Sequence, residues 1–402
     1  MDYSMDRDAE RRLGEFFDRI GDVLGHKKRR ESFALYAFGL LTDGERKSME
    51  PIAARACADP EEVDAVHQRL GHFMVNSEWR DRDVRCVAAR HAISAMVERE
   101  PITTWIIDDT GFLKQGKHSV GVQRQYTGAA GKITNCQVGV SLSITTETEH
   151  VPIDFELYLP ESWTGDPKRR KEALIPKEVT FKTKPELALG MLKRAIADDV
   201  PRGVVLADSD YGDKFAFRAG ARALGLDYAV GVHAPTTVFR VDRNGRPRGD
   251  SISVCELGIR RRHSFRRLTW RDGTKKALAS RFCVERVVVA QDSGVGEELT
   301  LLIEWPEGES KPTKFWLATT ERDLPKRYLV HLVKQRWRTE RVYEDMKGEL
   351  GLDHYEGRRF PGWHHHVSVA LCCYAFVVAE RVRRFPPTRR WTDPHRADLD
   401  AA

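Results

Sequence analysis

The chain has 402 residues, enough for two or three domains with cores of their own. Apolar residues make up 41% and charged residues 31%. With no run near the ~18–20 apolar residues of a bilayer-spanning helix, a soluble globular protein without a membrane partner is expected. The net charge of +6, from 66 basic against 60 acidic residues, is too small to name a partner by itself.

The start of the chain, Met-Asp-Tyr-Ser-Met-Asp-Arg-Asp-Ala-Glu (1–10), is polar and acidic, unlike a secretory leader, so a cytoplasmic location is expected. Seven cysteines are scattered without a Cys-x-x-Cys pair, which argues for reduced thiols and against structural zinc. Cys372 and Cys373 stand in an apolar run and read as small buried hydrophobes. Basic residues cluster at 168–171, 260–267, 334–341 and 381–390. Such a cluster is more often a solvated face than a binding site, but four in one chain raise the case for nucleic acid.

Residues 1–98 read as helical, with Ala34, Ala37, Phe38 and Leu41 at helical spacing and a new helix opened by Pro60. Thr42-Asp-Gly-Glu (42–45) resembles a cap with a fresh helix start before Arg46. From about 102 the pattern predicts strands at 103–108, 119–126, 136–145 and 151–158, with a hairpin loop at 128–132. A helix at 185–197, a strand at 203–207, a helix around 214–224 and a strand at 227–232 come next. Three antiparallel strands followed by strand–helix–strand is the order of a ribonuclease H-like sheet, in which the first strand lies beside the fourth. Residues 235–320 read as a β-rich insertion, with segments at 251–255, 263–270, 279–290, 298–305 and 314–319. One helix is expected from about 325 to 350 and another from about 363 to 384, before an irregular tail. The expected fold class is α/β: a ribonuclease H-like mixed sheet flanked by helices. Its divisions are an N-terminal helical domain at 1–98, which can bind DNA but can equally serve packing or a dimer contact, a core at 99–234, the insertion at 235–320, core helices at 321–384 and the tail at 385–402.

Three carboxylates stand out. Asp109 closes the apolar run Thr-Trp-Ile-Ile-Asp-Asp (104–109), and Asp208 closes Gly-Val-Val-Leu-Ala-Asp (203–208). Strand alternation leaves Asp108 as a competitor for the first place and Asp210 for the second. A cap is the plain alternative for each, since a bare buried carboxylate is costly. On the helix expected at 325–350, Arg336, Glu340 and Lys347 stand at i, i+4 and i+11, or about 40° and 20° from Arg336 after whole turns. They would share one face. Glu344 remains a competitor there, while Glu349 points to the opposite side. His364, His365 and His366 point ~100° apart in a helix and cannot share one ion, so they read as packing or as contacts to DNA.

Ile-Asp-Asp-Thr-Gly-Phe (107–112), Arg-Gln-Tyr-Thr-Gly (124–128), Asn-Cys-Gln-Val-Gly-Val (135–140), Tyr-Leu-Pro-Glu-Ser-Trp (158–163), Val-Leu-Ala-Asp-Ser-Asp-Tyr-Gly-Asp (205–213) and Glu-Leu-Gly-Leu-Asp-His-Tyr-Glu-Gly-Arg (349–358) together resemble the insertion-sequence DDE transposases. The resemblance runs from about 33 to 380. It implies a ribonuclease H-like core whose acidic triad is Asp109, Asp208 and Glu340, holding two Mg²⁺ or Mn²⁺ ions. The related cut-and-paste group carries a Tyr-x2-Arg-x3-Glu-x6-Lys signature. Arg336, Glu340 and Lys347 fit its last three places, while Val333 stands where the tyrosine would be. Trp316 resembles the insertion tryptophan that stacks on a flipped base, and a strand tryptophan packed in the core is the other reading.

The resemblance therefore implies an Mg-dependent enzyme that binds transposon ends, cleaves phosphodiester bonds and transfers strands to target DNA. Arg336 and Lys347 would grip phosphates, and a homodimer on DNA would bring two ends together. A non-catalytic DNA-binding relative, a nuclease without strand transfer and a structural protein whose acids are caps are the rival readings.

Overall fold

The computed structural model describes residues 6–271, 277–290, 296–319 and 324–385. They form two compact units. Among the described residues, the first gathers 6–102, 108–200 and 338–385, and the second holds 103–107 and those of 201–337.

The first unit opens with five helices, α1 (Arg7–Leu24), α2 (Lys27–Leu41), α3 (Met49–Ala56), α4 (Val63–Val75) and α5 (Asp81–Val97). In α1, Leu13, Phe16, Ile20 and Leu24 recur at helical spacing and are buried. The fresh start expected near Arg46 comes slightly later, with Ser48 at the N-cap of α3. Four strands come after the helices: β1 (Thr104–Leu113), β2 (Gln123–Thr127), β3 (Lys132–Thr145) and β4 (His150–Tyr158). One edge of β3 pairs antiparallel with β2 through Lys132–Cys136 and with β4 through Val138–Thr145. Its other neighbour is β1.

The short helices α6 (Glu161–Thr164) and α7 (Pro167–Glu172) lead to α8 (Lys184–Ala197). Thr183 and Glu186 form a reciprocal capping box at the start of α8, with Pro185 in its first turn, so the sequence cue and the helix boundary agree.

The second unit contains β5 (Val204–Ala207), α9 (Ser209–Gly212), α10 (Phe215–Ala223), β6 (Tyr228–Val232), β7 (Thr237–Val241), β8 (Pro247–Ser253), α11 (Val254–Arg260), β9 (Arg266–Arg271), β10 (Leu278–Val289), β11 (Glu298–Trp305), β12 (Lys314–Ala318) and α12 (Lys326–Lys334). The first residues of β1 belong here and pair parallel with β5, from Thr104↔Val204 to Ile106↔Leu206. β1 and β5 are therefore neighbours, so the strands leading into Asp109 and Asp208 lie side by side as expected. The sheet continues β5–β6–β12–β11–β10–β7–β8, and β9 also pairs with β10. The β-rich insertion thus extends the sheet through the antiparallel pair β12–β6. Part of the strand expected at 251–255 is instead α11, because Ser253 Oγ accepts from the Glu256 N–H at 3.1 Å and starts a helix. Ile106, Leu206, Phe282, Leu302, Leu329 and Val333 lie in one apolar core.

Back in the first unit are α13 (Trp337–Leu350) and α14 (Phe360–Arg384). α14 packs on α2, α4, α5 and β4. It is buried on nearly every side, which suits a helix apolar almost all round. Trp363 on α14, Phe112 on β1, Phe155 on β4 and Tyr343 on α13 meet in edge-on ring contacts.

The single helix expected at 325–350 is two. Gln335 bonds back to Leu332 O, a tight three-residue closure that ends α12. The halves bury different faces: α12 places Leu329, Val330, Leu332 and Val333 in the second unit's core, and α13 buries Val342, Tyr343 and Met346 in the first. The tail from 386, expected to be irregular, lies outside the described residues. Among the described residues, no helix is long and apolar enough to cross a membrane.

Candidate active site

In the first unit Asp109 is a mid-strand residue. β1 runs on to Leu113, which corrects the expectation that the carboxylate ends its strand. Asp109 is half-buried, and Thr110, Gly111 and Phe112 beyond it are buried again. Asp109 Oδ2 accepts from Lys184 Nζ at 2.9 Å, with about a fifth of the acid side chain and a quarter of the lysine exposed. Lys184 is the first residue of α8. The competing Asp108 is buried, and its Oδ1 accepts from the Asp109 N–H at 3.0 Å.

Glu340 lies in the first turn of α13 and faces solvent. Lys347 is seven residues on, so it shares a stripe with Glu340 to within about 20°. Its Nζ donates to Thr110 Oγ1 at 3.0 Å and to Gly111 O at 2.8 Å. These two bonds lay the stripe against β1 immediately after Asp109. Glu340 stands about 10 Å, or two turns, before the contact. Burial lowers the Lys347 ammonium below the usual lysine range, with Asp353 opposing the shift. The amine expected to grip phosphate is thus held on the strand in this structure. Tyr343 fixes the same helix through a 2.5 Å hydrogen bond with Ser141. Glu344 faces solvent opposite Arg341 at 3.7 Å.

Arg336 lies in the two-residue turn between α12 and α13, so the count that aligned it with Glu340 crosses a helix boundary. Val333, at the place of the signature tyrosine, is buried in the second unit's core.

In the second unit Asp208 directly follows β5 and caps α9, its Oδ1 accepting from the Asp210 N–H at 3.0 Å. The competing Asp210 is exposed. The turn is pressed onto β6 by two glycines. A Cβ at Gly212 would fall 1.8 Å from Gly231 O, and one at Gly231 would fall 3.0 Å from Ser209 N. A hydrogen-bonded chain that sequence reading missed holds the turn from the other side. Ser209 Oγ bonds His233 Nε2 at 3.2 Å, and His233 Nδ1 bonds Asp213, which also accepts from Thr236. Its members lie up to 27 residues apart in a turn, a helix start and a strand exit, and only Asp208-Ser-Asp hints at it.

Trp316 sits on β12, half-buried against the core, between Leu302 on β11 and Gly231 on β6. Lys334 Nζ lies 5.3 Å from its ring centroid, and 4.3 Å from that of Trp270, while pairing with Glu304 at 2.6 Å.

The histidine run is packing. His365 stacks on Trp79 with ring centroids 3.7 Å apart. His366 Nε2 donates to Leu352 O at 3.0 Å, and its Nδ1 meets the Tyr36 hydroxyl at 2.9 Å. All three are buried, which removes the alternative of contacts to DNA. Cys372 and Cys373 are buried and free, as their apolar surroundings indicated. Among the described residues, no three His, Cys, Asp or Glu side chains form a metal-ligating group.

A family model described as DDE superfamily endonuclease matches residues 16–277, and one described as transposase DDE domain matches residues 183–376. The chain is 29% identical over 207 residues to a probable transposase for insertion sequence element IS701 from Microchaete diplosiphon, covering 51% of this chain and 49% of that protein. It therefore spans about half the length of this curated relative. A synaptic complex of piggyBac transposase with hairpin DNA matches with a TM-score of 0.45 and 11% identity, covering 90% of this chain and 68% of that one. With the first model spanning well over half of its length, the chain belongs to the DDE superfamily endonucleases.

Proposed function

We propose that this protein is a DNA transposase that binds transposon ends, cleaves phosphodiester bonds and transfers strands to target DNA, with Asp109, Asp208 and Glu340 as its acidic triad. The observation that carries the reading is the parallel pairing of β1 with β5, the strands that lead into Asp109 and Asp208. The donors are carboxylate oxygens alone, and Asp109 and Asp208 are both partly exposed, which suits Mg²⁺ or Mn²⁺ rather than zinc. Such ions, when bound, activate a water or 3′-hydroxyl and stabilise the leaving oxygen.

The chain's own residues prepare for this. Lys184 neutralises Asp109 in the free protein, and Lys347 ties Glu340's helix to β1. Arg336, Lys347 and Trp316 are assigned to DNA, the last as a stacking platform. The helices of residues 1–98 serve as a DNA-binding domain, a homodimer assembles on DNA, and the cytoplasm is the place of action.

The test is cleavage and joining of labelled DNA carrying the ends of the element that encodes the protein, in Mg²⁺, with Asp109→Ala as comparison. The wild type should cut and join, and the variant should do neither. Equal cutting by the variant would sink the catalytic assignment. Nicked products that are never joined would favour a nuclease without strand transfer.

A further inference from the structure

A cavity of about 550 Å³ opens on the first unit where three separate segments meet. Lys117 and His118 come from the loop after β1, Lys168 and Arg169 from α7, and Arg358 and Arg359 from the residues before α14. The segments are fixed to one another through the backbone. Val120 N–H donates to Arg358 O at 3.1 Å, and Phe360 N–H donates to Ala173 O at 2.8 Å. Arg169 is held as a floor, its guanidinium 4.8 Å from the centroid of the Trp163 ring, and Trp163 is itself buried and bonded to Val122 O at 2.9 Å.

The charge is unbalanced. Five lysines and arginines face two carboxylates, Asp166 and Glu172, an excess of three formal positive charges. Asp166 is already engaged, accepting from the Lys168 and Arg169 N–H groups at 2.9 and 3.1 Å. Lys117, Lys168, Arg358 and Arg359 are exposed and make no ion pair with a described residue. A fold that brings four unpaired cations together with Glu172 as the one carboxylate left to balance them gains little in stability from the arrangement. A polyanion supplies the missing charge.

We propose that this pocket binds backbone phosphates of duplex DNA flanking the cleavage position, a contact that rests on the DNA reading above. β1 runs four residues from Asp109 to Leu113, about 13 Å, before the loop that carries Lys117 begins. Duplex DNA carries a charge about every 1.7 Å of axis, so phosphates well removed from the scissile one come within range. Contacts of this kind set register and carry no base specificity.

The test is fluorescence-anisotropy binding of the full chain to two duplexes, one with the element's end and one of unrelated sequence, across a range of salt. The triple variant Lys168→Gln/Arg358→Gln/Arg359→Gln is compared with Lys193→Gln/Lys311→Gln/Lys314→Gln, which removes the same charge from exposed lysines elsewhere. The pocket variant should lose about two to three from the slope of log K against log salt, near 0.9 per phosphate contact. Its affinity should fall by on the order of tenfold or more on both duplexes alike, while the control stays within about twofold of wild type. A pocket variant that matches the control overturns the proposal while leaving the transposase reading intact. A wild type that binds neither duplex overturns both.

Discussion

Removing the amine that balances Asp109 tests whether this carboxylate is poised for a cation. Lys184 Nζ stands 2.9 Å from Asp109 Oδ2, with side-chain exposures of 26% and 21%. Fully exposed ion pairs contribute about 0–1 kcal/mol, and charge-assisted hydrogen bonds shielded from water about 1.5–3 kcal/mol. A pair three-quarters buried falls between, at about 1–1.5 kcal/mol. A divalent ion on Asp109 must displace this ammonium, so Lys184→Gln should raise Mn²⁺ affinity by about five- to tenfold, since ~1.4 kcal/mol is a factor of ten. The substitution leaves the helix start intact because the capping box belongs to Thr183 and Glu186. Titration calorimetry or Mn²⁺ electron paramagnetic resonance on protein without DNA reads the change, with Asp109→Asn as the variant that should lose binding. Equal or weaker Mn²⁺ binding by Lys184→Gln would refute the competition argument, and full binding by Asp109→Asn would put the ion elsewhere.

Three further perturbations probe the frame around the acids. Arg85 is buried between Asp81, Asp154 at 3.2 Å and Ser368 at 2.9 Å. Arg85→Met leaves Asp154 with Arg194 at 2.7 Å but takes the guanidinium from Asp81, and should cost about 3 kcal/mol in urea unfolding; a loss under about 1 kcal/mol would show that water reaches Asp81. Gly212→Ala forces a methyl onto Gly231 O, which should lift the Asp208 turn off β6 and lower stability by about 1–3 kcal/mol. It should also reduce cleavage more than Gly71→Ala, where an added Cβ meets nothing within 4 Å; unchanged melting and cleavage would contradict the close approach. His366 is held down to about 4, chiefly by burial, against about 6.5 when unfolded. Its contribution to stability is therefore complete above about pH 6.5 and lost as pH falls toward 4, about 3 kcal/mol in all. Acid-unfolding curves should be shallower for His366→Gln over that window, and identical slopes would mean that the ring stays neutral for another reason.

Local pattern is enough for the strands that carry two of the acids. Val-Val-Leu-Ala (204–207) and Trp-Ile-Ile (105–107) are apolar on both faces, and such runs form central strands whichever partners they find. The residues just beyond each run are harder to read. Asp109 continues in the strand because Gly111 and Phe112 pack behind it, Gly111 so close to Thr127 that a Cβ would fall 1.9 Å from its hydroxyl. That constraint lies 16 residues away and has no local sign. Lys184 is invisible for a similar reason: 75 residues separate it from Asp109, and its setting, Thr-Lys-Pro-Glu (183–186), announces a helix start rather than a partner. The basic pocket draws on segments some 50 and 190 residues apart, of which only 168–171 is visible as a cluster.

The signature Arg336, Glu340 and Lys347 shows most sharply where periodicity stops being a guide. Counting at 100° per residue presumes one axis, and the presumption fails when the two halves of an apolar pattern serve different cores. Leu329, Val330, Leu332 and Val333 answer to β6, β11 and β12, whereas on α13 Val342, Tyr343 and Met346 are buried and Tyr343 meets Phe155 on β4 and Ser141 on β3. The two sets belong to separate helices, and Gln335–Arg336 is the turn between them. Within α13 the count still holds: Lys347 reaches Thr110 and Gly111 on β1, while Glu340, two turns earlier on the same stripe, faces solvent. The spacing from Glu340 to Lys347 is thus a statement about geometry, while the spacing from Arg336 to Glu340 is a statement about the chain that geometry does not carry.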